Sequence, residues 1–536
     1  MSTRQLLLLV LALHLVPFSA AQPQAVIQPE LTYRCVLLED GYATVSVGFR
    51  DASNTGLSAF WTLVPRNQSD YRITVTSGEV LRQDIGPAST PGGGSYVFYS
   101  NLTTEYRGPL EFSIDWNVSY ATLIAEPDAL YYSPAIACSP GVRILFNLTL
   151  PETTKSISEY DPIPVLQSNR TLIFALESHY RVGVAFKVSG PLRTVLLNSS
   201  RFRFRVPSRY EEMGRRLLGF YENVTEILDE IFNATLTSVN VEFFVPGTLS
   251  ELSTGGFVPI ASAYRLGTIY LNIFYSRTEK GYMEAIAAHE LVHHYLATSG
   301  ISPDVLWFHE GMANYVGIKV SEFSGLGGAD LDDDLLQEAL ALPAGQRAFA
   351  LAWSISQPVT GYSPYQHYAS AFHIVATIAQ NMSSPNDEIL TGQAFFIDLF
   401  TNIRRTSQKI TENDQLAWIM YATANFSRKA FVMLTSLGLR VRPMLIGGQN
   451  LSDYPTSIGL IATYFLYPLL EGPLNSAMEA ALSQDATAAL ILASEANDLL
   501  AHFDTSLLVF LLLLGAALVS GRQRGEEISP PPPPSA

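Results

Sequence analysis

The period of the hydrophobic pattern first changes near residue 206, and that change points to a β-built first part followed by a mainly helix-built second part. From about residue 25 the runs ATVSVGF, YRITVTS, SYVFYS, RVGVAFKV and RFRFRV are short, rich in β-branched and aromatic residues, and separated by Gly, Pro, Asn and Asp. Such runs fit half-buried strands, so residues 22–205 are expected to form an all-β, sandwich-like domain. At Arg209–Phe232 the apolar residues instead recur at spacings of three and four, as on an amphipathic helix. The strand-like runs SVNVEFFV and GTIYLNIFY follow, and from Gly281 to about residue 440 the pattern is helical with Gly and Pro punctuation. A length of 536 residues allows about three domains. Boundaries drawn on this pattern place one domain at 206–325, a helical half of the same region at 326–440, and a helical stalk at 441–504.

Two apolar segments set the expected topology. Residues 1–21 carry Arg4, the apolar run Leu6–Leu13, and then Ser19 and Ala21 at a small-residue cleavage position before Gln22, which reads as a secretory signal peptide. Residues 505–521 (TSLLVFLLLLGAALVSG) lack charge and precede Arg522 and Arg524. One C-terminal transmembrane helix is therefore expected, with 522–536 as a cytoplasmic Pro-rich tail and the bulk of the chain outside the cell. Of 20 Asn, 11 stand in the sequon N-x-Ser/Thr: Asn67, Asn101, Asn117, Asn147, Asn169, Asn198, Asn223, Asn233, Asn381, Asn425 and Asn450. All lie between the two apolar segments, as the outward-facing part of a glycoprotein requires. The two cysteines, Cys35 and Cys138, are expected to pair in an oxidising compartment, with two buried thiols as the alternative. A formal charge of −16 with no long basic run argues against a nucleic-acid partner.

Chemistry concentrates at His289-Glu290-Leu291-Val292-His293, inside an Ala-rich helical stretch closed by Gly300. The i, i+4 spacing puts both imidazoles on one helix face, where two ring nitrogens can converge on one Zn2+ while Glu290 flanks its open position. His294, one residue further on, points away from that face. A catalytic zinc takes a third protein ligand. Downstream, Trp307-Phe308-His309-Glu310-Gly311-Met312-Ala313-Asn314-Tyr315 offers Glu310 and His309 as candidates.

These residues resemble the gluzincin metallopeptidases, and the W-x-x-E-G-x-A-x-Y pattern resembles the membrane alanyl aminopeptidase family in particular. The resemblance implies a thermolysin-like α+β peptidase domain holding one Zn2+ through His289, His293 and Glu310, with His309 the competing third ligand and Glu290 the general base. The segment Ser363-Pro364-Tyr365-Gln366-His367-Tyr368-Ala369-Ser370-Ala371 is similar to the family's Y-x-K-G-A-S segment, whose tyrosine donates a hydrogen bond to the tetrahedral oxyanion. Tyr365 takes that position, with Tyr362 and Tyr368 nearby. One part of the family's pattern is missing: its G-x-M-E-N edge strand, whose glutamate binds the substrate's α-amine, corresponds to Thr254-Gly255-Gly256-Phe257-Val258-Pro259, which has the glycines and no glutamate. The implied function is a membrane-anchored extracellular zinc metallopeptidase acting on peptides or proteins, aminopeptidase-like but without the residue that selects a free N-terminus. The alternative is a catalytically inactive, glycosylated surface or adhesion protein that retains a peptidase-like fold. Asp330, Asp332, Asp333 and Asp334, at the start of a helical run, read as charges complementing a helix N-terminus rather than as calcium ligands.

Overall fold

The computed structural model of the chain describes residues 28–65, 72–87, 99–176, 180–262, 265–277, 281–327, 329–355, 358–406 and 409–441. The expected signal peptide, the stalk from residue 442 on, the transmembrane segment, the Pro-rich tail, Asn67 and Asn450 lie outside the described residues. The chain divides into two compact units, one comprising Met1–Pro191 with Gly247–Leu249, the other Leu192–Pro246 and the chain from Ser250 on. This division falls before the sequence boundary at 205, because the strand-like run RFRFRV pairs into the sheet of the second unit. Alternating burial marks a strand but carries no information about its partner.

The first unit is the sandwich that its alternation predicts. One sheet runs in the order β10 (Leu166–Ser168), β11 (Thr171–Leu176), β8 (Arg143–Thr149), β1 (Glu30–Leu37), β2 (Ala43–Asp51), β5 (Tyr99–Val118), β3 (Leu57–Pro65), with β4 (Arg72–Pro87) also on β5. The other runs β6 (Thr122–Ala125), β7 (Asp128–Tyr132), β12 (Gly183–Val188), β9 (Thr154–Asp161). Inward residues of both sheets share one core, in which Phe49 stacks on Phe60 at 3.9 Å between ring centroids. Cys35 and Cys138 both belong to this core and are present as thiols, not joined by the disulfide expected from the sequence. Cys138 donates to the Ser139 carbonyl at 3.6 Å, and burial pushes its thiol up to about 11. Packed this way, a thiol behaves as a small hydrophobe and stays protonated. Of the nine described sequon asparagines none is buried, and Asn117, Asn169, Asn198, Asn223, Asn233 and Asn425 are exposed.

The second unit is built on a mixed sheet in the order β13 (Thr194–Asn198), β14 (Phe202–Pro207), β15 (Val239–Phe244), β17 (Ile269–Asn272), β16 (Gly256–Phe257). The helix α1 (Glu211–Phe232) crosses between the parallel strands β14 and β15. It buries Leu217, Phe220, Tyr221, Val224, Leu228 and Ile231, the three-and-four stripe visible in the sequence. The helices α2 (Tyr282–Ser299), α3 (Leu306–Phe323), α4 (Ala329–Ala341), α5 (Pro364–Asn381), α6 (Gln393–Arg405), α7 (Asn413–Thr423) and α8 (Arg428–Ser436) follow. The acidic run falls within the start of α4, where Asp332 accepts from Lys319.

The helices α2 and α3 bury residues on nearly every side, so neighbouring elements fix them all round. The Tyr221 hydroxyl donates to the Ala287 carbonyl at 2.7 Å and ties α1 to α2. Two glycines let α3 lie close to both of its neighbours. A Cβ on Gly317 would stand 2.9 Å from the backbone nitrogen of His289 on α2, and one on Gly311 would stand 2.5 Å from the Ala371 carbonyl oxygen on α5. Gly300 ends α2 in the left-handed region at φ 107°, the expected C-cap, and six residues later α3 starts.

Candidate metal centre

Three elements meet at the site. Helix α2 contributes His289, Glu290 and His293, α3 contributes His309, Glu310 and Asn314, and β16 closes one side. Nε2 of His289 lies 3.1 Å from Nε2 of His293 and 3.2 Å from Oε2 of Glu310, and His293 Nε2 lies 3.7 Å from the same oxygen. Among the described residues this is the cluster of His, Cys, Asp and Glu able to hold a metal ion. The triangle of donors fits one: four ligands at about 2.0–2.1 Å in tetrahedral array stand about 3.4 Å apart. Glu310 Oε2 is buried and accepts no hydrogen bond of good geometry. Three lone pairs facing one another in a buried space is the arrangement a cation relieves.

The imidazole tautomers follow from what lies behind each ring. His289 Nδ1 is 2.9 Å from Asn314 Oδ1, an oxygen that only accepts, so Nδ1 carries the proton and Nε2 presents its lone pair to the cluster. His309 Nε2 is 3.4 Å from the Ile301 carbonyl and donates to it. Its Nδ1 is then the acceptor for His293 Nδ1–H at 3.3 Å, which leaves His293 Nε2 free to bind. Burial lowers His309 to about 4 and His293 to about 3, so both rings are neutral at physiological pH. His309, the competing third ligand in the sequence, therefore stands behind the site and orients His293. Asn314 lies one helical turn past Glu310. That spacing could have revealed it, had the face carrying the carboxylate been followed one turn further.

Glu290 is 5% exposed, and its carboxyl is raised from an ordinary 4.5 to about 7, by burial first and then by the charge of Glu310, against the opposing effect of His289. A carboxylate poised near neutrality can both take and give a proton. Its side chain lies against the sheet edge: a Cβ on Gly256 would come within 2.8 Å of Glu290 Cγ and 2.9 Å of Oε1. Only glycine fits there. The edge strand β16 thus lies beside Glu290, with Val258 lining the cleft on the same side.

The structure places Tyr365 elsewhere. The capping box of Ser363 and Gln366 starts α5, leaving Tyr365 in its exposed first turn, 47% accessible and near Asp334, Tyr282 and Glu338. One turn on, Tyr368 lines the cleft with His289, Glu290, His293 and Glu310. The negative charge of Glu310 first, then burial and the charge of Glu290, hold its phenol protonated well above the ordinary value. Trp353 meets its ring edge-on at 5.3 Å. Among the described residues that line the cleft, Tyr368 is the one that carries a hydroxyl. The motif match pointed to Tyr365 because Tyr368 occupies the position of the family's glycine.

No protein-family model matches this chain, and no curated protein matches it. Among solved structures it is similar to the crystal structure of an aminopeptidase N family protein from Idiomarina loihiensis, at 12% identity over 72% of each chain with a TM-score of 0.31. It is also similar to a GH20 exo β-N-acetylglucosaminidase from Vibrio harveyi in complex with N-acetylglucosamine, at 12% identity over 46% of this chain and 34% of that one with a TM-score of 0.11. Likenesses at these scores carry no argument, so any function assigned to this chain rests on the geometry of His289, Glu290, His293, Glu310 and Tyr368.

Proposed function

We propose that the protein is a zinc metallopeptidase, anchored by its C-terminal segment with the site on the extracellular side. The observation that carries this reading is the convergence of His289, His293 and Glu310 beside a buried, neutral-range Glu290. The three side chains would hold one Zn2+, which when bound supplies Lewis acidity and lowers the pKa of its water. Glu290 accepts a proton from the attacking water and returns it to the departing amine nitrogen. Tyr368 donates its hydroxyl proton as a hydrogen bond to the oxygen on which negative charge develops. His309 and Asn314 keep both imidazoles in the ligating tautomer. The membrane topology stands on the sequence, and the exposure of six sequon asparagines agrees with an exported surface.

Metal analysis together with peptide turnover tests this function. Glu290→Gln keeps the shape of the side chain and loses the proton acceptor, so zinc content is expected to stay near one per chain while kcat falls at least a hundredfold. Zinc without turnover in the unmodified protein would instead favour the inactive surface protein.

A further inference from the structure

The cleft at the metal centre, about 240 Å3 in volume, holds little charge. Glu290 and Glu310 are its carboxylates, His289, His293 and His309 its imidazoles, and among the described residues no Lys, Arg or other acid lines it. All of these groups are already engaged: three donors converge on one point, Glu290 stands beside them, and His309 supports His293. The remaining wall is apolar, formed chiefly by Phe257, Val258, Ile260, Leu306 and Ile355. Phe257, Ile260 and Ile355 are exposed there although each is a large hydrophobic side chain. Phe257 is held in place, stacked on Tyr270 at 4.8 Å and meeting Phe244 edge-on at 5.6 Å. An exposed apolar surface concentrated around a polar centre marks a binding site for apolar groups.

Capturing a peptide terminus requires an opposite charge, because a buried ammonium or carboxylate left without a partner costs far more than a missing methyl contact. Among the described residues this cleft has no such charge to offer. In particular, Val258 lines it at the point of the edge strand where, counting from Gly255 in the G-x-M-E-N pattern, a carboxylate would meet an α-amine. Sheet order makes β16 the last strand, so an extended chain can lie along its outer edge and run past the metal centre in both directions.

Resting on the peptidase reading above, we infer that the protein cleaves internal peptide bonds flanked by large apolar side chains and recognises neither terminus. The bond broken is a backbone C–N bond within the chain: water adds its oxygen to the carbonyl carbon, and the nitrogen leaves with a proton.

The test uses the zinc-loaded full chain and one peptide with a central Leu-Phe pair, prepared with free termini and with an acetylated N-terminus and amidated C-terminus. The two forms are expected to be cleaved at the same internal bond with kcat/KM within about fivefold, and replacing the Leu-Phe pair by Asp-Asp is expected to lower kcat/KM at least about fiftyfold. Val258→Glu is expected to shift the preference toward the free peptide by more than tenfold, with Val258→Gln leaving the ratio unchanged. A loss above a hundredfold on blocking the termini, or equal cleavage of the Asp-Asp peptide, overturns the inference while leaving the peptidase intact. Hydrolysis of neither peptide, nor of a mixed peptide library, overturns the peptidase reading and this inference with it.

Discussion

Replacing Tyr368 by Phe removes the hydroxyl that faces the cluster, and kcat is expected to fall by about 10²–10³-fold with little change in KM, as for loss of one oxyanion donor. Tyr365→Phe is expected to stay within about twofold of the parent, since that half-exposed side chain, one turn earlier, is not among the residues that line the cleft. Kinetics on the two variants decide between them, and the reverse ranking would return the role to Tyr365. His309→Ala removes the acceptor behind His293 Nδ1, so zinc affinity is expected to weaken about 10–100-fold, as for other residues that orient a ligand. His309→Asn offers an oxygen in place of the ring nitrogen and is expected to recover part of that loss. Competition with a chromophoric chelator measures both, and an unchanged His309→Ala would show that His293 needs no support. The closeness of His289, Glu290 and His293 was legible in the sequence because HExxH encodes its geometry in a single helical turn. Tyr368 was not, because i and i+3 positions on α5 share a flank and only the start of that helix decides which one reaches the cleft.

The contact between α2 and α3 sets the spacing of His289, His293 and Glu310, the proposed metal ligands. Gly317→Ala places a Cβ 2.9 Å from the His289 backbone nitrogen and 3.1 Å from the Ala285 carbonyl oxygen, neither of which can rotate aside. A cost of about 1–3 kcal/mol is expected from overpacking. Because the strain separates the two helices that carry the ligands, zinc affinity is expected to fall as well. Gly219→Ala on α1 meets nothing within 4 Å and serves as the control, expected to stabilise by about 0.5–1 kcal/mol through helix propensity. Denaturant midpoints and chelator competition on the two variants test the claim, which fails if Gly317→Ala matches the control. The extents of α1, α2 and α3 were readable from periodicity and from Gly300. What the sequence did not disclose is pairing. RFRFRV looks like any other strand of the sandwich, yet as β14 it lies beside β15 in the second unit, and parallel partners separated by a helix leave no local mark.

Across the whole molecule, the buried carboxyl of Glu290 links the site to global stability. Its folded-state value of about 7 lies above the ordinary 4.5. The folded zinc-free protein therefore keeps a proton that the unfolded chain releases between those two values. Stability from this group is fully present below pH 4.5 and is lost as pH rises through 7, a difference of about 3 kcal/mol. Glu290→Gln does not titrate, so in chelator its Tm is expected to exceed the parent's at pH 8 and to match it at pH 4.5. Calorimetry at the two values checks this, and an equal difference at both would rule out the linkage. At the same scale, two cysteines in one core suit a disulfide and two buried thiols equally, because burial and sequence spacing are common to both. One more consequence concerns portability. His289, His293 and Glu310, the proposed base Glu290, and His309 and Asn314 behind the imidazoles all fall between Tyr282 and Phe323, on two helices joined by a short turn. The metal-holding part is thus a self-consistent cassette, whereas the strand edge and the tyrosine come from other stretches of the chain. A substitution in those outer parts is therefore expected to change how a substrate is held before it changes metal affinity.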